Sequence, residues 1–330
     1  MLDLIKCKYI LSQLFQFLNE KKSLDIIKYN QKLKKKFDRN LNDYIRVHNQ
    51  IEIEIIPVEK ENLKKEENNF INYPIKNKSY FHIYFNNNYS KEINRNYLTK
   101  NEEVNSIKII IDSNIKSLKE LFKRCYCLKE VKFTKFYRKD ISDLSYLFCG
   151  CSFLDKLNIS KMDTTNVTSM SGTFWGCSSL KEINISNFNT IKITNMHCLF
   201  NLCSSIKQLN LSNFNTEKVT DMSNMFESCE SLEELNLMNF NIINVTNMCA
   251  IFSKCYSLKG INIPKFKLAN LTCLRWMFYG CTKLINLDIT KFIFNVNNDI
   301  KSMFSKCSDE LKNKIKMNNK NIPDEVFINE

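Results

Sequence analysis

From residue 107 to residue 308 the apolar positions recur every 26 residues. Eight cysteines keep this period without a slip: Cys125, Cys151, Cys177, Cys203, Cys229, Cys255, Cys281 and Cys307. A phenylalanine precedes each by three residues: Phe122, Phe148, Phe174, Phe200, Phe226, Phe252, Phe278 and Phe304. Counted from the cysteine, further apolar residues fall at +3, +6, +8 and +11, as in Leu180, Ile183, Ile185 and Phe188. The alternation around +6 and +8 has period two and predicts a short strand with those residues inward. A different rhythm follows. Val167, Ile193, Val219, Val245 and Leu271 stand at +16, and Met170, Met196, Met222, Met248 and Leu274 at +19. Spacings of three and four predict a short helix or 3₁₀ segment, with the threonine at +17 as its cap.

A fixed period of this length is the signature of stacked coils, each pairing its strand in parallel with the next at about 4.8 Å. The expected fold class is therefore an α/β repeat: a solenoid of 26-residue coils with a parallel sheet. The Phe and Cys form two internal columns, and the residues at +11, mostly aromatic, form a third.

The units 178–196 (SSLKEINISNFNTIKITNM) and 204–222 (SSIKQLNLSNFNTEKVTDM), each behind F-x-x-C, resemble the BspA-like leucine-rich repeat family, also catalogued as a mycoplasma-type lipoprotein repeat. The likeness covers about residues 107–308. It implies a right-handed leucine-rich-repeat solenoid and a protein-binding role; some members of that family are surface proteins.

Ahead of the array, residues 1–47 carry helical stripes, with Leu4, Cys7, Leu11, Leu14, Phe15 and Leu18 on one face. A small helical N-terminal segment is expected there. It reads either as a cap on the first coil or as a docking module. Residues 10–28 (ILSQLFQFLNEKKSLDIIK) are similar to an F-box, which implies contact with the adaptor of a cullin ubiquitin ligase. Residues 48–106 read as a charged linker with strands. Ile51–Ile55 is expected as an edge strand, and 107–111 as the strand of the first coil. Residues 309–330 depart from the repeat and read as a C-terminal cap.

Composition narrows the function classes. The net charge is +13, from 48 Lys and Arg against 35 Asp and Glu. Residues 1–100 hold 19 of the basic and 12 of the acidic residues, so charge is denser there. The cluster Lys32, Lys34, Lys35, Lys36 and Arg39 reads as a solvated face, and no aromatic-rich motif predicts specific nucleic-acid binding. Of the 14 cysteines, eight are locked to the repeat, where a small apolar side chain fits. Reduced, structural thiols predict an intracellular, cytoplasmic setting. No leader is recognisable and no run of ~20 apolar residues predicts a membrane span.

Candidate chemistry is sparse. There are three histidines, and His197 abuts Cys198 in one repeat only. No phosphate loop, nucleophile motif or metal-ligand spacing occurs, so the chain is expected to be no enzyme and to need no cofactor or metal. That leaves the outward strand positions. Glu182, Gln208, Glu234 and Asn286 stand at +5; Asn184, Asn210, Asn236, Asn262 and Asp288 at +7; Met238 at +9. A polar ladder whose asparagines bond one another is one reading of the +7 column. A ligand face for an unidentified protein partner is the other. Three functions compete: an interaction solenoid, an F-box-like substrate receptor, and a surface adhesin.

Overall fold

The computed structural model describes residues 49–328 apart from 64, 265, 268–270, 289, 291, 294–297 and 319–321. The helical reading of 1–47, and with it the F-box likeness and the cullin adaptor, lies outside the described residues.

The repeat is present as a stack of coils around two columns. The eight repeat phenylalanines are all fully buried, and of the eight cysteines only Cys307 keeps any exposure, 6%. Successive rings lie 5.4–6.0 Å apart between centroids, with interplanar angles of 3–16°. Offset aromatic stacks in this range add about 0.5–1.5 kcal/mol per pair beyond the area they bury. Phe136, Met162, Phe188, Phe214 and Phe240 form the third column, also buried.

The half-coil before each cysteine is not helical. Two residues per coil have positive φ, at +21 and +25, as in Asn224 (57°) and Ser228 (57°) or Gly172 (58°) and Gly176 (75°). A left-handed residue every fourth position breaks the α-helical path. The N–H groups then alternate between two uses. Met222, Asn224, Phe226 and Ser228 donate to the carbonyls of Asn247, Cys249, Ile251 and Ser253 in the next coil. Met225, Glu227 and Cys229 donate back to Met222, Asn224 and Phe226 as tight turns. The apolar spacing of three and four is thus that of a chain of turns. The threonine at +17 is no helix cap either. Thr194 Oγ1 and N–H both donate to Thr168 O in the preceding coil, and Thr220 does the same to Thr194.

Parallel pairing is continuous at +18: Asp143, Ser169, Asn195, Asp221, Asn247, Cys273 and Asp299 bridge in succession. On the other side it is interrupted. β6 (Leu128–Lys135) pairs in parallel with β7 (Lys156–Asn158), and β8 (Glu234–Asn236) with β9 (Gly260–Asn262). Residues 182–184 and 208–210 between them form no strand. β10 (Phe266–Lys267) and β11 (Phe292–Ile293) make a further short parallel pair.

The start of the array differs from the expectation. β1 (Ile51–Pro57) is not an edge strand: it lies between β5 (Ile107–Ile111) and β6, antiparallel to both. β5 is not the first coil's parallel strand, because β1 occupies that edge of β6 and β3 (Phe81–Phe85) takes the far side of β5. Ile51, Ile53 and Ile55 are fully buried, so the alternating run serves an internal strand. β2 (Glu67–Asn69) and β4 (Tyr97–Thr99) pair antiparallel. At the far end α1 (Asp309–Asn318) buries Leu311 and Ile315, with the Ser308 hydroxyl accepting from the Leu311 N–H. The N–H groups of Ser302 and Phe304 donate to Glu325 and Val326, so the tail stands where a further coil would.

Candidate partner-binding surface

The outward strand positions emerge from the inward ones by the two-residue pleat. Each of Glu182, Asn184, Gln208, Asn210, Glu234, Asn236, Met238, Asn262, Asn286 and Asp288 is exposed. Glu234 lies opposite Gly260 and Asn236 opposite Asn262, and Gly260 bridges to Asn286, so these columns run across coils in register.

The asparagines at +7 do not bond one another through the contacts that fix them. The Oδ1 atoms of Asn158, Asn184, Asn210 and Asn236 accept from the N–H two residues on: Ser160, Ser186, Ser212 and Met238, at 3.1–3.2 Å. Asp288 does the same for Thr290 at 3.1 Å. These are Asx turns that end the strand segment. The +7 residues therefore have a structural use, and side chains at +5 and +9 are left to vary. Met238 replaces the serine that occupies +9 in earlier coils, and its side chain is 55% exposed.

Glu182 and Asn184 line a groove of about 800 Å³ with Glu54, Ile56, Glu130, Lys132, Asp155, Lys156 and Asn158. The other eight candidate residues lie along the face outside this groove. Glu130 pairs with Lys156 at 2.8 Å along the +5 column. Ile56 adds an apolar patch, 44% exposed. Glu54 and Ile56 were not among the sequence candidates, because only the antiparallel insertion of β1 brings them to this face. The alternation from Ile51 to Ile55 was the available signal.

The Cys198–His197 pair singled out in the sequence is not set up as an activated nucleophile. Cys198 Sγ lies 3.2 Å from His197 Nε2, and Asn201 Nδ2 donates to the sulfur. Burial nevertheless pushes the Cys198 thiol up to about 12, so it is protonated near neutral pH. His197 Nδ1 contacts Ser223 Oγ at 2.8 Å, and that hydroxyl donates to Asp221 at 2.6 Å. Among the described residues no group of three or more His, Cys, Asp or Glu side chains could hold a metal ion. No helix among them is long and apolar enough to cross a membrane.

A leucine-rich repeat protein from Bacteroides ovatus, known from a crystal structure, is similar at 23% identity and a TM-score of 0.40. The likeness covers 62% of this chain and 47% of that one, so this chain spans about half the length of that relative. No curated protein matches the chain. A family described as Mycoplasma protein of unknown function, DUF285, matches residues 116–210 and 200–318, none of them in the N-terminal 47. Those two matches take in every repeat cysteine and more than half of the chain, and the chain belongs to that family.

Proposed function

We propose that this chain is a non-catalytic protein-interaction solenoid, right-handed as leucine-rich repeats are, whose ligand face is the outward strand surface. The observation that carries the reading is the division of labour between the two edges of the stack. The turn edge commits every second backbone N–H to the neighbouring coil in coil after coil, whereas among the described residues the strand edge is paired at β6–β7, at β8–β9 and at the Gly260–Asn286 bridge, and forms no strand at 182–184 and 208–210. Most side chains at +5 and +9 are exposed, and they vary from coil to coil, as partner selection requires. Met238, with Glu234 and Asn236 beside it, is the apolar anchor in a polar surround that interaction surfaces use.

The site of action is a reducing, cytoplasmic compartment. Thirteen described cysteines are free, and from Cys151 to Cys307 each repeat thiol donates to the phenylalanine carbonyl of the preceding coil, as Cys229 does to Phe200 at 3.2 Å. A disulfide would remove those donors.

The test is the double substitution Glu234→Lys with Met238→Glu. Folding should be nearly unchanged, because both side chains face solvent. Partners cross-linked to the wild-type protein in its native cell should be lost from the variant. Retention of every partner by a folded variant would place recognition elsewhere.

A further inference from the structure

We propose that Cys249 and Cys273 form a peroxide-reactive thiol pair on the turn edge of the stack, with Cys273 as the attacking sulfur and Cys249 as the resolving one. The two positions are +20 of one coil and +18 of the next. The same diagonal is occupied by Ser145 and Ser169 near the start of the stack, where the two hydroxyl oxygens lie 2.7 Å apart. The coil geometry therefore brings the tips of these two side chains together. In the later coils it does so with thiols, which are hydrogen-bonded to each other. Both residues are half-buried, unlike the repeat cysteines.

The two sulfurs differ in their backbone setting. Position +18 is an acceptor in the other coils: Asp143, Asn195, Asp221, Asn247 and Asp299 each take the N–H of the residue two further on. At Cys273 the sulfur takes that place and accepts the Arg275 N–H. An acceptor site suits a thiolate better than a thiol. The Cys249 thiol donating to it, joined by the Arg275 amide and guanidinium, holds Cys273 down to about 7, against opposition from burial and Asp299. The same contact and burial raise Cys249. A half-buried sulfur held toward the thiolate beside a second thiol is the arrangement of a redox-responsive cysteine.

With hydrogen peroxide, the Cys273 thiolate attacks one peroxide oxygen. The O–O bond breaks, a sulfenic acid forms, and the departing hydroxide takes a proton to become water. Cys249 then attacks the Cys273 sulfur. The S–O bond breaks, and the second hydroxide leaves with the proton that Cys249 gave up. Two thiols and one peroxide yield one disulfide and two waters, and a dithiol returns the two electrons. The product staples two adjacent coils without touching the strand face.

The experiment uses the full chain, freshly reduced. Sub-stoichiometric iodoacetamide at pH 7 should alkylate Cys273, read in the tryptic peptide 268–275, at least about tenfold faster than any other described cysteine. The pH profile of that rate should have its midpoint near 7. One equivalent of peroxide should link peptide 268–275 to the peptide carrying Cys249. Cys249→Ser should instead leave a sulfenic acid on Cys273 that dimedone traps. If Cys273 reacts no faster than Cys249, or if its disulfide forms with another cysteine or not at all, the proposal is wrong. Those wild-type measurements decide the matter even if the variant does not fold.

Discussion

Phe226 shows what one residue contributes in a stacked array. Its ring is fully buried and lies 5.8 Å from Phe200 on one side and 5.6 Å from Phe252 on the other. Phe226→Ala should cost about 3–5 kcal/mol, because fixed neighbours cannot collapse into the cavity. Phe304→Ala should cost less: beyond it lies Phe327, only half-buried and tilted 33° to the Phe304 ring, which can move in. Urea unfolding of the two variants compares them; equal losses would contradict nearest-neighbour stacking. The cysteine beside each ring adds a pH dependence. Burial raises the thiols of Cys151, Cys177, Cys203, Cys229, Cys255 and Cys281 well above 9.0. Above pH 9 the unfolded chain releases these protons and the folded one holds them. Stability is therefore fully present below pH 9 and falls as pH rises past it, by up to about 1.4 kcal/mol per pH unit per thiol. Cys229→Ala should flatten the slope of stability against pH between 9 and 10.5; an unchanged slope would mean the thiol is not held protonated.

At the scale of the element, the turn chain is the feature that sequence periodicity mislabelled. Apolar residues at +16, +19 and +22 point inward from successive turns much as they would from a helix, so spacing alone does not separate the two. Positive φ does, but it is written in glycine at only four of these positions: Gly150, Gly172, Gly176 and Gly280. Arg124, Tyr146, Leu202 and Lys254 adopt it with ordinary side chains, held by the bonds to the next coil. The glycines are not equivalent. A Cβ on Gly172 would stand 2.5 Å from the Tyr146 ring, whereas one on Gly176 would meet nothing closer than 3.4 Å. Gly172→Ala should destabilise the protein by more than Gly176→Ala, whose cost is the left-handed strain of about 1–2 kcal/mol. Thermal melts of both variants check this ordering, and the reverse order would contradict the placement of Tyr146. The Asn at +7 was legible as an outward ladder but not as an Asx turn, since the donor is a backbone N–H that no side-chain pattern reveals.

For the molecule as a whole, the 26-residue period made the stack and its buried columns legible from residue types alone. Cys and Phe recur there because a fixed interior admits little else. The N-terminal sheet was not legible, because β1 pairs with strands 52 to 83 positions away and no period announces such a contact. For the same reason the groove that β1 completes, with Glu54 and Ile56 on its wall, went unread while Glu182 and Asn184 were found. The ion pairs of the buried Lys108 with Glu52 at 2.8 Å and Glu54 at 3.4 Å bind β5 to β1.

Hydrogen exchange under native conditions tests the central claim, that the turn edge is the spine and the strand edge is left for binding. The amides of Phe174, Phe200, Phe226 and Phe252, each donating to the next coil, should exchange only by opening of the stack. Those of residues 182–184 and 208–210, which form no strand, should exchange orders of magnitude faster. Equal protection along both edges, or faster exchange at the four phenylalanines, would contradict the account.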